Sequence, residues 1–281
     1  MDVKSIEIYF PDVKVINSFK ESGQKFVFLI DHPKYEITIL KIVKEKDERT
    51  VREIEIATKY NIRNTPKIFE FDIVKIDGKE YMYIIEEYIE GNTLSDEIKT
   101  KSFPLYKSLD LLESLLETAI ELEKSKIVHR DIKPDNIICS NSGKYYLIDF
   151  GIARMLNATS LTFTKAVIGP HTPGYGAPEL FQYSKSEIDI RADLFSIGVV
   201  VYESIFKKHP FITGNELDIN EIWFKTATVV PQSLYIPGDM DKKLIGFLQT
   251  LMQKHISRRP PTAKRALEWF SIIKDTVEIN N

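Results

Sequence analysis

His129-Arg130-Asp131-Ile132-Lys133-Pro134-Asp135-Asn136, followed downstream by Asp149-Phe150-Gly151, carries the densest chemistry in the chain. Between the two runs the apolar pattern predicts a strand over 136–139, a turn at Asn141-Ser142-Gly143 and a second strand over 145–148. The run therefore offers carboxylates, an amide and a lysine from one loop and one strand end. Hard cations take oxygen ligands, and moving a phosphoryl group requires held metal, an acceptor for a hydroxyl proton and neutralisation of developing charge. Asp131 suits the proton acceptor, Lys133 the charge, and Asn136 with Asp149 the metal.

Working outward, short β-branched and aromatic runs at 14–19, 26–30, 37–43, 68–74 and 81–85 predict a mostly antiparallel sheet. One segment of helical character interrupts them at 48–60, where Val51, Ile54 and Ala57 share a face. Leu109, Leu112, Leu116 and Ile120 predict an amphipathic helix over Leu105–Lys124, and further helices are expected over 192–206, 241–253 and Ala263–Lys274. A sheet-rich first part is thus followed by a helix-rich second part, joined near Glu90-Gly91-Asn92.

The loop and the Asp-Phe-Gly run resemble the catalytic loop and metal-binding motif of the eukaryotic-like (Hanks-type) protein kinase family. Ala177-Pro178-Glu179, within Thr172-Pro173-Gly174-Tyr175-Gly176, resembles the end of that family's activation segment and its substrate-docking loop. Asp193 resembles its buried anchor of the catalytic loop, Arg259 the partner of Glu179, and His209-Pro210-Phe211 a loop of the same lobe. The resemblance runs from about residue 15 to residue 270. It implies an α+β bilobal kinase fold as a single domain over 1–281, with a small antiparallel-sheet lobe bearing one helix to about residue 88 and a larger helical lobe over 89–275.

The same resemblance implies a serine/threonine protein kinase that uses ATP with Mg²⁺, or Mn²⁺, in the cleft and transfers the γ-phosphoryl group to Ser or Thr of protein substrates. Lys133, two places after Asp131, is the form seen in kinases acting on Ser and Thr. Lys41 looks like the strand lysine that touches the phosphates, and Glu53 like the helix glutamate that holds it. Glu53 is preferred to Glu55 because the small apolar Ala57 lies four residues on, whereas Lys59 follows Glu55. Glu87 and Ile89 match the hinge that holds adenine through its backbone. Glu86 then lines the back of the pocket, where a carboxylate needs either a partner or a raised pKa.

The chain departs from the family at the phosphate loop, where Lys20-Glu21-Ser22-Gly23-Gln24-Lys25-Phe26-Val27 keeps only Gly23 and Val27 of the glycine pattern. Glycines let a backbone approach phosphates closely, so Lys20 and Lys25 either supply charge in their place or are solvated hairpin residues. A pseudokinase scaffold would account for the lost glycines, and a small-molecule phosphotransferase shares the metal chemistry. The first does not need all four of Lys41, Asp131, Asn136 and Asp149. The second usually lacks the Ala-Pro-Glu end. Arg130 precedes Asp131, where the family often binds an activation-loop phosphate, and Thr159, Ser160, Thr162 and Thr164 are the candidate autophosphorylation positions. Thr172 is expected to contact Asp131 and Lys133 instead.

A net charge of −3 argues against nucleic-acid wrapping, and the cluster Lys254, His255, Arg258, Arg259, Lys264 and Arg265 reads as helix surface plus the Glu179 pair. Cys139, the single cysteine, reads as inert and buried, and His129 as a packed structural residue. No start resembling a signal peptide and no long apolar run occurs, so a soluble, cytoplasmic chain without membrane contact is expected, regulated through a protein partner or a small molecule.

Overall fold

The computed structural model describes residues 1–19, 25–43, 54–56, 59–60, 62–100, 103–150, 154–155 (backbone only), 172–181 and 188–279. They fall into two units, one of Met1–Asn61 with Thr65–Glu90 and one of Ile62–Asn64 with Gly91–Asn281, so the division lies two residues beyond the expected lobe boundary.

In the first unit, five antiparallel strands follow the expected runs closely: β1 (Lys14–Ser18), β2 (Lys25–His32), β3 (Glu36–Val43), β4 (Ile68–Ile76) and β5 (Lys79–Glu87), in the order β1-β2-β3-β5-β4. Asp77 and Gly78 both adopt positive φ and close the β4–β5 hairpin, the geometry that a tight two-residue connection of right-twisted strands demands. Alternation sends Phe28, Ile30, Leu40, Ile42 and Ile85 to one face, where they pack with Ile6 and Val13. Val43, Met82 and Ile84 pack with Ile54 in a second cluster, which places the helical stretch 54–56 against the sheet.

A helix at Val3–Tyr9 (α1) was not legible in the sequence. Its Ile6, Ile8 and Phe10 alternate as a strand would, and Ile6 alone of its residues is buried. Asp2 caps it by accepting the Ser5 N–H, and Tyr9 donates to Asp77 at 2.9 Å, so local capping and a tertiary contact override the pattern.

The second unit contains a three-stranded sheet, β6 (Gly91–Thr93), β8 (Ile137–Ser140) and β9 (Tyr145–Leu147), and a short pairing of β7 (Ile127–Val128) with β10 (Arg154–Met155). A Cβ at Gly91 would collide with the Cys139 carbonyl, so the close β6–β8 approach requires glycine there. Helices α2 (Leu94–Lys99), α3 (Leu105–Lys124), α4 (Ile190–Phe206), α5 (Ile219–Thr228), α6 (Lys243–Leu251) and α7 (Ala263–Lys274) complete it. The expected helices correspond to α3, α4, α6 and α7. Lys242 at φ +56 breaks the helical path before Lys243, and Asp239 accepts the Leu244 and Ile245 N–H groups of the first turn, so α6 begins two residues after the expected 241. Helices α2 and α5 are additional, each begun by a side-chain cap, Thr93 and Asp218, and each burying a single residue.

Two expectations about side chains are corrected. Cys139 is half-buried rather than buried, although burial pushes its thiol up to about 12 and keeps it protonated. Lys254 is not helix surface: it follows α6 and its ammonium lies 3.8 Å from the centre of the Phe211 ring. Burial first, and then the nearby Arg259 charge, lower its pKa to about 7.

Candidate active site

The catalytic-loop candidates are held by a network inside the second unit. Asp193, on α4 and fully buried, accepts the His129 N–H at 2.8 Å and the Arg130 N–H at 2.9 Å, one on each carboxylate oxygen. Arg130 sits at φ +67, a conformation a non-glycine residue holds only when its surroundings impose it, and these two bonds supply that constraint. Burial raises the Asp193 pKa to about 7 despite both bonds. His129 is fully buried, its Nδ1 accepts the Asp131 N–H at 3.3 Å, its ring meets Phe150 edge-on, and burial lowers its pKa. It is therefore a neutral packing residue, as expected.

Beyond the loop, Pro134 starts a one-turn 3₁₀ helix over Pro134–Asn136, which turns Asn136 back towards Asp131. Asn136 donates from Nδ2 to the Asp131 carbonyl at 2.9 Å and to Asp131 Oδ2 at 3.0 Å. Lys133 Nζ stands 2.9 Å from Asp131 Oδ2 and donates to Thr172 Oγ1 at 2.7 Å, while the Thr172 hydroxyl donates to Asp131 Oδ1 at 2.7 Å. Asp131, Lys133, Asn136 and Thr172 are thus one hydrogen-bonded cluster. Asp149 takes φ +64 two residues after β9 ends, next to the buried Phe150.

With its amide nitrogen committed to Asp131, Asn136 keeps its oxygen as a hard donor. Among the described residues no group of three or more His, Cys, Asp or Glu could hold a metal. One amide oxygen and one carboxylate fit a small divalent cation whose remaining ligands come from phosphates and water, the habit of Mg²⁺, better than a cation caged wholly by protein.

The docking loop is braced from below. Gly174 lies at φ +88, and a Cβ there would come within 2.9 Å of His209 Cε1. Tyr175 donates to Glu203 at 2.6 Å and stacks edge-on against His209. A cavity of about 590 Å³ lies alongside, lined among others by Ile98, Pro134, Tyr175, Glu203 and Lys207. His209 Nδ1 accepts the Phe211 and Ile212 N–H groups at 3.1 and 3.0 Å, so the ring must be neutral, and burial lowers its pKa to about 4. An unfolded histidine takes up its proton near pH 6.5, whereas the folded ring does so only near pH 4. Stability from this group is therefore complete above pH 6.5 and declines as pH falls through that window, by at most about 1.4 kcal/mol per pH unit. Thermal melts of wild type and His209→Gln at pH 8, 6 and 5 check this: the variant should start lower at pH 8 and fall less between pH 6 and 5.

Glu179 and Arg259 form the expected pair, bidentate at 2.6 and 2.8 Å. In the first unit, Lys41 is buried on β3 and pairs with Glu86 on β5 at 2.7 Å. Glu86 therefore has a partner, the role that the sequence left open between pairing and protonation. Glu87 ends β5, and one of its carboxylate oxygens accepts the Lys67 N–H at 3.2 Å. Lys25 opens β2 and is only 9% exposed, so it is not a solvated hairpin residue, and Val27 is half-buried. Lys20, Gly23, Glu53, Thr159, Ser160, Thr162 and Thr164 lie outside the described residues. Glu55, the glutamate not preferred as the lysine's partner, is exposed.

A sheet unit bearing a buried strand lysine, and a helical unit bearing an anchored Asp-Lys-Asn loop and an Ala-Pro-Glu end, define a protein kinase fold. The chain belongs to that family: residues 29–270 match the protein kinase domain model. It is 29% identical over 261 residues to a probable serine/threonine-protein kinase of Clostridium perfringens, covering 90% of this chain and 37% of that one. A probable serine/threonine-protein kinase of Streptomyces coelicolor is 33% identical over 213 residues, 74% of this chain and 30% of the relative. A fission yeast serine/threonine-protein kinase is 31% identical over 234 residues, 80% of this chain and 48% of that one. The chain thus spans between about a third and a half of the length of these relatives.

Proposed function

We propose that the chain is the catalytic domain of a serine/threonine protein kinase that takes the γ-phosphoryl group of ATP to protein hydroxyls. The observation that carries this is the Asp131–Lys133–Thr172 contact set, since it leaves a carboxylate and an ammonium fixed side by side next to the docking loop. Asp131 accepts the proton of the acceptor hydroxyl. Lys133, held by both Asp131 and Thr172, offsets negative charge as it develops. Asn136 and Asp149 would hold the divalent cation, Mg²⁺ or Mn²⁺, both of which the all-oxygen donor set suits, and Lys41 would bind phosphate oxygens, with Glu53 as its helix-borne partner. When bound, the metal nucleotide supplies the phosphoryl group and charge compensation.

Lys25, buried at the start of β2, and Lys20 are proposed to replace part of the missing glycine cradle by charge. The backbone at Glu87 and Ile89 is proposed to hold adenine. A scaffold without catalysis is disfavoured because Asp131, Lys133, Asn136 and Thr172 are joined in one hydrogen-bonded cluster, and a small-molecule phosphotransferase because the docking loop is braced by Tyr175, Glu203 and His209. A cytoplasmic location, protein regulators and an absence of nucleic-acid or membrane partners are likewise proposed; no helix among the described residues is long and apolar enough to cross a membrane.

Purified chain incubated with labelled ATP, Mg²⁺ and a generic protein substrate should place label on Ser and Thr. Peptides covering 159–164 should carry phosphate in the wild type and not in Asp131→Asn. Nucleotide binding with no transfer to any protein would overturn the enzymatic reading.

A further inference from the structure

Lys41 and Glu86 sit on hydrogen-bonded neighbouring strands. The register pairs Lys41 with Ile84 and Ile39 with Glu86, which makes Lys41 and Glu86 diagonal neighbours on one face of the sheet. Their charged ends meet at 2.7 Å with side chains only 10% and 11% exposed. The sheet thus sets this pair through the β3–β5 ladder. A buried ammonium loses its hydration and needs a charged partner that stays in place, and a short charge-assisted bond provides one.

We infer that Glu86 is a positioning residue, a sheet-borne carboxylate that aims the Lys41 ammonium at the phosphates of the nucleotide and keeps it charged. This rests on the reading of Lys41 as the phosphate-binding lysine. Glu86 makes no contact with the nucleotide phosphates in this scheme and acts only through Lys41. Its effect should therefore appear in ligands that carry a phosphate chain and be missing from those that do not.

The test is calorimetric binding of ADP with Mg²⁺ and of adenosine to wild type, Glu86→Gln, Glu86→Asp, Lys41→Met and the Lys41→Met/Glu86→Gln double variant. Gln keeps the shape of Glu86 and Asp keeps its charge with a shorter reach, so one variant serves if the other fails to fold, as thermal melts will show. Glu86→Gln should weaken ADP by about tenfold, the range for losing a charge-assisted bond, and Glu86→Asp by less. Adenosine should shift less than twofold in both. In the Lys41→Met background Glu86→Gln should cause no further loss of ADP affinity.

An unchanged ADP-to-adenosine ratio, tighter ADP binding, or a loss that persists without Lys41 would each overturn the inference while leaving the nucleotide site in place. Failure of the wild type to bind ADP at all would instead overturn the assignment of Lys41 on which it stands.

Discussion

Replacing Asp131 by Asn is expected to lower the phosphoryl-transfer rate by roughly 10² to 10⁴, the range for removing a general base. The substitution preserves shape, and an Asn oxygen can still accept the Thr172 hydroxyl that Asp131 Oδ1 now accepts at 2.7 Å. What it removes is the group proposed to take the acceptor proton, and the carboxylate that steadies Lys133 at 2.9 Å. Asp149→Asn should be at least as severe, because the charged group proposed as a metal ligand becomes a neutral one. Asn is chosen there because Asp149 sits at φ +64, a left-handed conformation that Asn tolerates and Ala does not. Steady-state assays with labelled ATP provide the measurement, beside melts of both variants and ADP titrations of Asp131→Asn that should stay near wild type. An Asp131→Asn protein retaining a tenth or more of wild-type turnover would remove Asp131 from the role of base.

The largest stability effect is expected at Arg259. The residue is 3% exposed, and its guanidinium binds both Glu179 oxygens and donates further to the Gln253 and Arg191 carbonyls at 2.8 and 2.9 Å. Its plane also lies 4.9 Å from the centre of the Phe195 ring. Arg259→Met leaves Glu179 as a buried charge without its partner, which costs about 3–5 kcal/mol. For a unit of this size that lowers the melting temperature by about 6–20 °C. Adding Glu179→Gln to Arg259→Met should recover part of the loss, because the stranded charge is then gone. Calorimetric melts of the two singles and the double give the coupling directly. A drop under about 1 °C for Arg259→Met would mean that the pair contributes nothing net, as desolvation can cancel attraction.

Much of the candidate site was legible in the sequence because its chemistry is local. Asp131, Lys133 and Asn136 lie within six positions, Pro134 turns the chain between them, and Thr172 follows from the docking-loop pattern. The strands of the sheet were equally legible, since alternation of side chains between two faces is a property of the strand itself. Short helices were not. α1, α2 and α5 bury one residue each, so no apolar stripe marks them, and they exist through caps at Asp2, Thr93 and Asp218 and through what they pack against. Lys254 was misread for a related reason: a lysine in a basic run looks solvated until Phe211 is brought beneath it by a distant part of the chain.

Residue identity and order carry the oxygen, nitrogen and hydroxyl groups and, through their spacing, the fold. What each buried charge faces comes from packing between distant segments. Asp193 could be matched to an anchor, but its two N–H bonds to His129 and Arg130 depend on bringing residues more than sixty positions apart together. Glu86 stood out as a carboxylate at a position the family resemblance places at the back of a pocket, yet its partner was set by the register between β3 and β5, and a slip of one residue would have turned it to the opposite face. The physical reason is common to both. Residue type and local spacing fix what a side chain can do, while the desolvation that makes a charge need a partner arises only when distant segments close around it.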